Sequence, residues 1–296
     1  MKNILIIGAN GFTGRRILND LSVNPIYHVT GCSLRDDICP GKDYRFVRTD
    51  IRDENEVRKL FKECRPDIVI NTSALSVPDY CETHHAEAEA TNVTAVETIA
   101  HVCEQYGSRF IHLSTDFVFD GKSTRLYKEE DEAIPVNYYG VTKLKAEKII
   151  ASICSNYAIV RVVVVYGKAL PGQHGNILQL VANRLRNGET IRVVSDQWRT
   201  PTFVGDISVG VEKLMFHTAN GIYHICGSEC LTIAKIAYRV ADFLKLDRSL
   251  IEPVTTEEMK ETTPRPRFSG LSIEKAKAEI GYTPRTLEEG MEASLF

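Results

Sequence analysis

Tyr139 and Lys143 are four residues apart in a run of good helix formers from residue 139 to residue 154. Residues at this spacing lie on the same face of a helix, so the phenol and the ammonium group would be neighbours. A free tyrosine, with a pKa of about 10, transfers protons poorly at neutral pH. A cation beside it favours the phenolate and would lower that pKa, which makes the pair a candidate for proton transfer. Taken alone, the two residues fit an incidental pair on a surface helix better.

A glycine-spaced turn lies near the start of the chain, between an apolar strand (residues 3–7) and a helical run (residues 15–21). Glycines let the backbone turn tightly and approach a pyrophosphate, which binds the free N–H groups of a helix N-terminus. The spacing is GxxGxxG rather than GxGxxG, and a turn without a ligand is the alternative. The order of strand, turn and helix predicts a dinucleotide site. Its predicted residues are Gly8, Asn10, Gly11, Phe12, Thr13 and Gly14.

The second predicted strand ends at Ser33, and no acidic residue follows before Asp36. NAD-binding folds of this type carry an acid about 20 residues past the glycines, which takes the ribose hydroxyls. Here Arg35, with Arg15 or Arg16, is placed to pair with a 2′-phosphate instead. We therefore place Ser33 and Arg35 at the cofactor and favour NADP(H) over NAD(H). The alternative is that Arg35 is a solvated loop residue.

Strands and helices alternate through the first part of the chain. This alternation predicts an α/β fold, a Rossmann-like doubly wound parallel sheet with ligands at the carboxyl ends of its strands. Polar or small residues follow several strands. They are Asp50, whose carboxylate could accept from an adenine amino group or cap the next helix, then Thr72, Ser73 and Ala74, and finally Thr115 and Asp116. A long helix carries Asn92.

The pattern changes after Gly167, where a smaller α/β lid is expected to cover the strand ends. We predict an NAD(P)-binding Rossmann domain from residues 1–167 plus 203–227. Residues 168–202 plus 228–296 would form the substrate-binding domain. The segment 196–202 contains Trp198, which either stacks on a ligand or packs between the domains.

The composition excludes several classes of protein. The chain has 296 residues, a net charge of -3, 43% hydrophobic and 25% charged residues. These values favour a cytoplasmic globular protein with a small-molecule substrate and no nucleic-acid or membrane partner. Eight cysteines without a CxxC pair are expected to be free thiols. No metal is predicted, because the clusters Cys81/His84/His85 and His224/Cys226/Cys230 lack convincing ligand spacing.

Four stretches, in order along the chain, resemble one known family. They are LSTDFVFDG (113–121), YGVTKLKAE (139–147), DQWRTPT (196–202) and GIYHICG (221–227). With the glycine turn, Asp50 and Ile51, they resemble the extended short-chain dehydrogenases/reductases. Among these, the chain is most similar to the dTDP-4-dehydrorhamnose reductases, which implies a nucleotide-sugar substrate.

The resemblance implies a role for each motif. Thr115, Tyr139 and Lys143 would be the catalytic triad. Tyr139 would give a proton to the sugar ketone as hydride arrives from the nicotinamide, and Lys143 would hold the ribose hydroxyls. Asn92 would support this network and the cofactor, and Ile51 would lie at the adenine. The residues implied at the substrate are Asp116, Val164, Trp198, Arg199 and Arg265, where the alternative for both arginines is an ordinary salt bridge.

The chain also departs from the family's pattern. Val164 stands where the reductases usually carry a tryptophan that touches the sugar, and Phe117 stands where they often carry a tyrosine. Asp116 is not followed by the glutamate that a nucleotide-sugar dehydratase needs. Two alternatives to a reductase are an NAD-dependent nucleotide-sugar epimerase and a non-catalytic NADP-binding regulatory subunit. A homodimer is possible by analogy with extended members.

Overall fold

A computed structural model describes residues 1–41, 43–173 and 175–294. The strands of this part of the chain are short and mostly apolar. They are β1 (Lys2–Ile7), β2 (Tyr27–Ser33), β3 (Arg45–Arg48), β4 (Ile68–Asn71), β5 (Arg109–Thr115), β6 (Tyr157–Val162), β7 (Val165–Tyr166), β8 (Ile191–Val194), β9 (Trp198–Arg199), β10 (Thr202–Phe203), β11 (Gly221–His224), β12 (Leu231–Thr232) and β13 (Ile251–Val254).

The helices connect these strands. They are α1 (Phe12–Ser22), α2 (Glu54–Cys64), α3 (Pro78–Thr83), α4 (His85–Glu89), α5 (Ala95–Tyr106), α6 (Tyr138–Ile153), α7 (Ile177–Arg186), α8 (Val204–Phe216), α9 (Ile233–Leu244), α10 (Thr256–Met259), α11 (Glu274–Ile280) and α12 (Leu287–Ser294). Short 3₁₀ turns occur at Asp116–Val118 and Arg248–Leu250, and a π-helical turn at Ala90–Thr94. As far as the structure describes the chain, no helix is long and apolar enough to cross a membrane.

The central sheet is parallel and has the spatial order β11-β6-β5-β4-β1-β2-β3. Successive side chains of β1 alternate between two cores: Ile4 and Ile6 pack on one face, Leu5 and Ile7 on the other. Helices cover both faces, so the strands are buried on both sides and are apolar throughout. The predicted Rossmann-like α/β fold is confirmed.

A third core lies in the second half of the chain, around α7, α9 and the β8–β13 pair. Asn176 starts α7 with a capping box, in which its side chain and that of Gln179 satisfy each other's backbone N–H groups. The tail that the sequence indicated as loop-rich contains β13 and three short helices. The predicted division into two domains stays a prediction.

Two predicted elements differ from the structure. The long helix expected around Asn92 is divided at His84 and then contains the π-helical turn, which includes Asn92 itself. The sixth strand, expected to run to Val165, ends at Val162 because Val164 has a φ of 38°. A β-branched residue rarely adopts this left-handed conformation, and it breaks the strand.

Candidate active site

A cleft of about 1020 Å³ opens at the carboxyl ends of the central strands. Most of the predicted residues line it: the glycine turn, Ser33, Asp50, Ile51, Thr72, Ser73, Ala74, Thr115, Asp116, Tyr139, Lys143, Val164 and Arg265. Residues from the second half of the chain close one side, among them Gln173 and Asn176. Arg35, Asn92, Trp198 and Arg199 are not part of this lining.

The glycine turn leaves room and donors for an anion. Gly8 has a φ of 82°, and a Cβ on it would lie 2.7 Å from the backbone nitrogen of Ser73. A Cβ on Gly14 would collide with the Gly8 carbonyl and the Thr72 hydroxyl. Helix α1 begins at Phe12 with Gly11 as its N-cap, so no side chain caps its first N–H groups, and these residues line the cleft. These residues fit a dinucleotide pyrophosphate.

The loop after β2 is held by a buried arginine. Arg15 donates to the Asn10 Oδ1 and to the Tyr44 hydroxyl, each at 2.8 Å, and forms an ion pair with Asp37. Because Asp37 neutralises this guanidinium, the structure favours Arg35 over Arg15 for a 2′-phosphate, and that role stays a prediction. Arg16 is likewise paired, with Asp20 at 2.7 Å.

Asp37 and Tyr44 were missed by the sequence analysis. The only sign of this pair in the sequence was an acidic residue soon after the end of β2. Arg35 is left as the exposed arginine of this loop, outside the cleft lining.

Asp50 lies at the end of β3 and forms an ion pair with Arg52 at 2.7 Å. The hydrogen bond from Arg52 lowers the pKa of the Asp50 carboxyl. The helix cap that was the alternative role for Asp50 belongs instead to Asp53, which accepts from the Asn55 N–H at 2.8 Å. Asp50, which is ion-paired with Arg52, and the buried Ile51 both line the cleft wall.

Asn92 does not reach the cleft. Its side chain accepts from the Leu75 N–H at 2.8 Å and donates to the Leu75 carbonyl and the Thr142 hydroxyl, both at 3.0 Å. It ties the loop after β4 to helix α6, which gives it a positioning role, and its contact with a cofactor stays a prediction. A π-helical turn at the same residue is typical of functional sites.

Helix α6 is fixed at its start by Asn137, which the sequence analysis missed. The Asn137 side chain accepts from the Gly140 N–H at 2.9 Å and donates to the Pro264 carbonyl at 2.9 Å. An asparagine just before a helical run is a recognised N-cap signal. This cap joins the helix of Tyr139 to the segment that carries Arg265.

Thr115 and Asp116 end strand β5 beside the Tyr139 ring. The Thr115 hydroxyl donates to the Asp116 carboxylate at 3.1 Å and accepts from the Phe117 N–H at 3.2 Å. The buried Asp116 also accepts from the Ser269 hydroxyl. Burial raises the pKa of Asp116.

The pKa of Tyr139 is raised rather than lowered. Burial of the phenol is the main cause, and the negative charge of Asp116 adds to it, while the neighbouring Thr115 hydroxyl acts in the opposite direction. The expected lowering by Lys143 is wrong for this structure, because the amine of Lys143 is bonded elsewhere. Tyr139 therefore keeps its proton at neutral pH and can donate it.

Lys143 points beneath its own helix to His112 on β5. The Lys143 Nζ and the His112 Nε2 are 2.9 Å apart, and both side chains are buried. Burial lowers the pKa of Lys143 to about 8, against the opposing effect of Glu147. Burial and the nearby Lys143 hold the pKa of His112 well below its usual value. His112 was missed by the sequence analysis, although it is a histidine within an apolar strand.

Arg199 lies outside the cleft lining, and its predicted role at a substrate diphosphate stays a prediction. It is buried, forms an ion pair with Asp116 at 3.6 Å and donates to the Gln197 side chain at 3.2 Å. The structure contains the salt bridge that was the alternative role of Arg199. This salt bridge also occupies the Asp116 carboxylate. Trp198 is 42% exposed and lies outside the cleft lining.

Arg265 does line the cleft. Its guanidinium is 3.2 Å from Asp79 and 3.2 Å from Glu261, and its side chain stays about one-third exposed, at 31%. Arg265 therefore lines the cleft as an ion-paired guanidinium, which a ligand diphosphate would have to share with these two carboxylates. Val164 lines the same part of the cleft through its left-handed backbone.

The histidines of the two weak metal clusters have other contacts. His84 stacks on Tyr80 and His85 on Tyr138, each with ring centroids 3.7 Å apart. His224 is buried and bonded to the Ser272 carbonyl at 3.1 Å. Within the described ranges, no three His, Cys, Asp or Glu side chains are grouped to hold a metal.

Comparison with known proteins gives a consistent result over the whole chain. The RmlD substrate binding domain family matches residues 1–295. A probable low-salt glycan biosynthesis reductase of Haloferax volcanii is 30% identical over 291 residues, covering 97% of this chain and 95% of that protein. Methionine adenosyltransferase 2 subunit beta of Xenopus laevis is 31% identical over 290 residues, covering 96% and 84%.

A solved structure is similar over the same length. dTDP-4-dehydrorhamnose reductase from Bacillus anthracis, in complex with NADP, has a TM-score of 0.87 and 26% identity, with 99% of each chain covered. The resemblance drawn from the four motif stretches is confirmed. The chain belongs to the RmlD substrate binding domain family.

Proposed function

We propose that this protein is an NADP(H)-dependent reductase of a nucleotide-activated 4-keto-sugar. The observation that carries the proposal is the meeting of the glycine turn, Thr115, Tyr139, Lys143 and Arg265 in one cleft. The similar B. anthracis reductase was solved with NADP, which supports the same cofactor class here. The preference for NADP(H) over NAD(H) rests on Arg35 and on the engagement of the nearest acid, Asp37, by Arg15.

Tyr139 is the proposed proton donor. Its raised pKa keeps the phenol protonated, which is the form that a ketone reduction needs. When bound, the reduced nicotinamide supplies the hydride. Thr115 would donate a hydrogen bond to the same ketone oxygen, once its hydroxyl turns from Asp116, and stabilise the charge that develops there. Lys143 would hold the ribose hydroxyls.

Arg265 is the proposed contact for the nucleotide diphosphate. It is a partly exposed guanidinium on the cleft rim, and planar guanidinium groups bind phosphate oxygens in pairs. Val164 leaves space where a bulky aromatic would fill the sugar site, so the sugar pocket is expected to accept a wider ligand.

A direct assay tests the function. The protein is incubated with NADPH and a 4-keto-6-deoxy nucleotide-sugar, and the loss of nicotinamide absorbance is followed, with NADH and sugar-free reactions as controls. Net oxidation that depends on the sugar is expected. An absence of oxidation with every ketosugar, together with NAD that copurifies with the protein, would overturn the proposal in favour of an epimerase.

A second candidate is a non-catalytic NADP-binding regulatory subunit, favoured by the 31% identity to the X. laevis subunit. A stable complex with another protein, whose activity survives Tyr139→Phe, would support it. A nucleotide-sugar turnover that Tyr139→Phe abolishes would contradict it. The cytoplasmic location and the homodimer stay predictions.

A further inference from the structure

A chain of polar side chains runs from the cleft wall to a site beneath helix α6. Asn71 on β4 and His112 on β5 are opposite each other in the parallel register of these strands. The Asn71 Nδ2 is 3.1 Å from the His112 Nδ1, and the His112 Nε2 is 2.9 Å from the Lys143 Nζ. Asn71, His112 and Lys143 are all buried, so the direction of each hydrogen bond matters energetically.

The direction of the first bond is set by Ser73. The Asn71 Oδ1 accepts from the Ser73 backbone N–H at 3.0 Å and from its hydroxyl at 2.6 Å. A backbone N–H can only donate, so the oxygen of Asn71 must face Ser73. The amide NH₂ of Asn71 therefore faces His112 and donates to its Nδ1.

The direction of the second bond follows from the first. A neutral imidazole that accepts at Nδ1 carries its proton on Nε2, which must then donate. The group opposite is the Lys143 Nζ. An ammonium has three N–H donors and no acceptor, so it would place one donor against another. Only the neutral amine completes the chain.

We propose that Asn71 and His112 act as positioning residues that stabilise the neutral amine of Lys143 in the empty cleft, so that dinucleotide binding is coupled to the uptake of a proton by Lys143. The cofactor part of this inference rests on the proposed function. Protonation breaks the chain, because the imidazole must move its proton to Nδ1 and Asn71 must lose a bond. A ligand that offers hydroxyl acceptors to the ammonium compensates for this loss.

The charges around Lys143 are consistent with such a switch. Helix α6 contributes Tyr139 and Glu147, and the carboxylate of Glu147 is already bonded to Arg161 of β6 at 2.6 Å and to the Ser114 hydroxyl of β5. The neutral His112 is the direct partner. The lowered pKa of Lys143, about 8, agrees with the direction of the hydrogen bonds.

The proposed proton uptake makes NADPH binding depend on pH. Lys143 has the higher pKa in the bound state, so binding takes up a proton above the pKa of the empty protein. The dissociation constant of NADPH is therefore expected to increase with pH above about 8, by up to about tenfold per pH unit. Below that pH the amine is protonated in both states, and the dependence on pH fades.

Asn71→Asp is the sharpest test. The new carboxylate can accept both from Ser73 and from a His112 Nδ1–H, so the imidazole proton moves to Nδ1 and Nε2 accepts from a Lys143 ammonium. His112→Gln is the second variant, since its amide can also present an oxygen to an ammonium. His224→Gln is the matched control, because His224 is equally buried in the same sheet without contacting Lys143.

Isothermal titration calorimetry of NADPH binding, in buffers of different ionisation enthalpy, counts the protons taken up. At about pH 9 we expect an uptake of close to one proton for the wild type and for His224→Gln. Asn71→Asp and His112→Gln should bind with almost none. An equal uptake in the wild type and in whichever of these two variants folds would overturn the proposal.

A second measurement does not depend on the cofactor. The titration of Lys143 in the empty protein is followed by NMR on ¹³Cε-labelled lysine, with its signal assigned from Lys143→Arg. A midpoint well below the ordinary lysine pKa of about 10.4 is expected, and a midpoint near that value would overturn the proposal. If no dinucleotide binds in calorimetry, the proposed function fails, and this midpoint alone decides whether the chain stabilises the amine.

Discussion

The two ends of the cleft are built in different ways. At the dinucleotide end, the glycine turn, Asp50 and Thr72 follow directly after strands of one parallel sheet. At the substrate end, Val164 and Arg265 come from irregular segments that are distant in sequence and meet through packing. The first end depends on the order of elements along the chain, whereas the second depends on which long-range contacts form.

The two ends of the cleft therefore differ in what brings a polar side chain to the cleft. Parallel strands bring their carboxyl ends to one edge of the sheet. A polar residue that follows such a strand therefore lies at the cleft in almost any side-chain conformation. In the second half of the chain, Arg199 of the two-residue strand β9 instead pairs with an acid, Asp116. Substitutions at the two ends are therefore expected to differ in their effects on activity, stability and affinity.

The largest effect is expected at the junction of the two ends. Tyr139→Phe removes the proposed proton donor and should lower kcat by about 10²- to 10⁴-fold, while NADPH affinity in calorimetry changes little. Tyr138→Phe is the control, because the adjacent phenol bonds to Glu89 at 3.2 Å outside the cleft lining. A similar kcat for Tyr139→Phe and the wild type would contradict the assignment.

The next effect concerns stability rather than catalysis. Arg199→Met leaves the buried Asp116 carboxylate without its cation, so the free energy of unfolding should fall by about 3–5 kcal/mol in urea denaturation. The double variant Arg199→Met/Asp116→Asn should recover part of this loss. If Arg199 held the substrate diphosphate instead, the single variant would raise KM and leave stability unchanged.

At the dinucleotide end, most residues that the sequence indicated do line the cleft, because they follow strands of one parallel sheet. The sequence did not reveal that the half-buried Asp37 neutralises Arg15, or that Arg35 and Asn92 lie outside the cleft lining. At the substrate end, Trp198 and Arg199 belong to a matching motif and yet lie outside the cleft lining. His112 escaped notice because its role depends on the register of β4 against β5, and a single strand does not reveal register.

Arg265→Ala tests whether the substrate end still has a diphosphate contact. The loss of charge-assisted hydrogen bonds should raise KM for the nucleotide-sugar by about tenfold to a hundredfold, with a small change in kcat. Arg267→Ala is the control, since this exposed arginine pairs with Glu257 at 2.8 Å away from the cleft. Equal KM values for the two variants would remove Arg265 from the site.

Val164→Gly tests the strained backbone of the substrate end. Its φ of 38° costs a valine about 1–2 kcal/mol, which glycine does not lose. We expect Val164→Gly to be more stable than Val162→Gly by about this amount in urea denaturation. Val162 is the fair comparison because it is also a partly buried valine but lies in the regular strand β6. Equal losses in both variants would show that Val164 is unstrained.

The smallest effect is expected for Arg35→Ala, at the outer edge of the dinucleotide end. Because Asp37 neutralises Arg15 and Asp20 pairs with Arg16, Arg35 is the arginine left for a 2′-phosphate. Its side chain is exposed, and exposed ion pairs contribute at most about 1 kcal/mol, so the ratio of NADPH to NADH affinity should fall by up to about fivefold. Arg48→Ala, which removes a comparably exposed arginine bonded to the Leu34 carbonyl, should leave the ratio unchanged. A ratio that both variants preserve would assign the choice of cofactor to the backbone of the cleft rather than to charge.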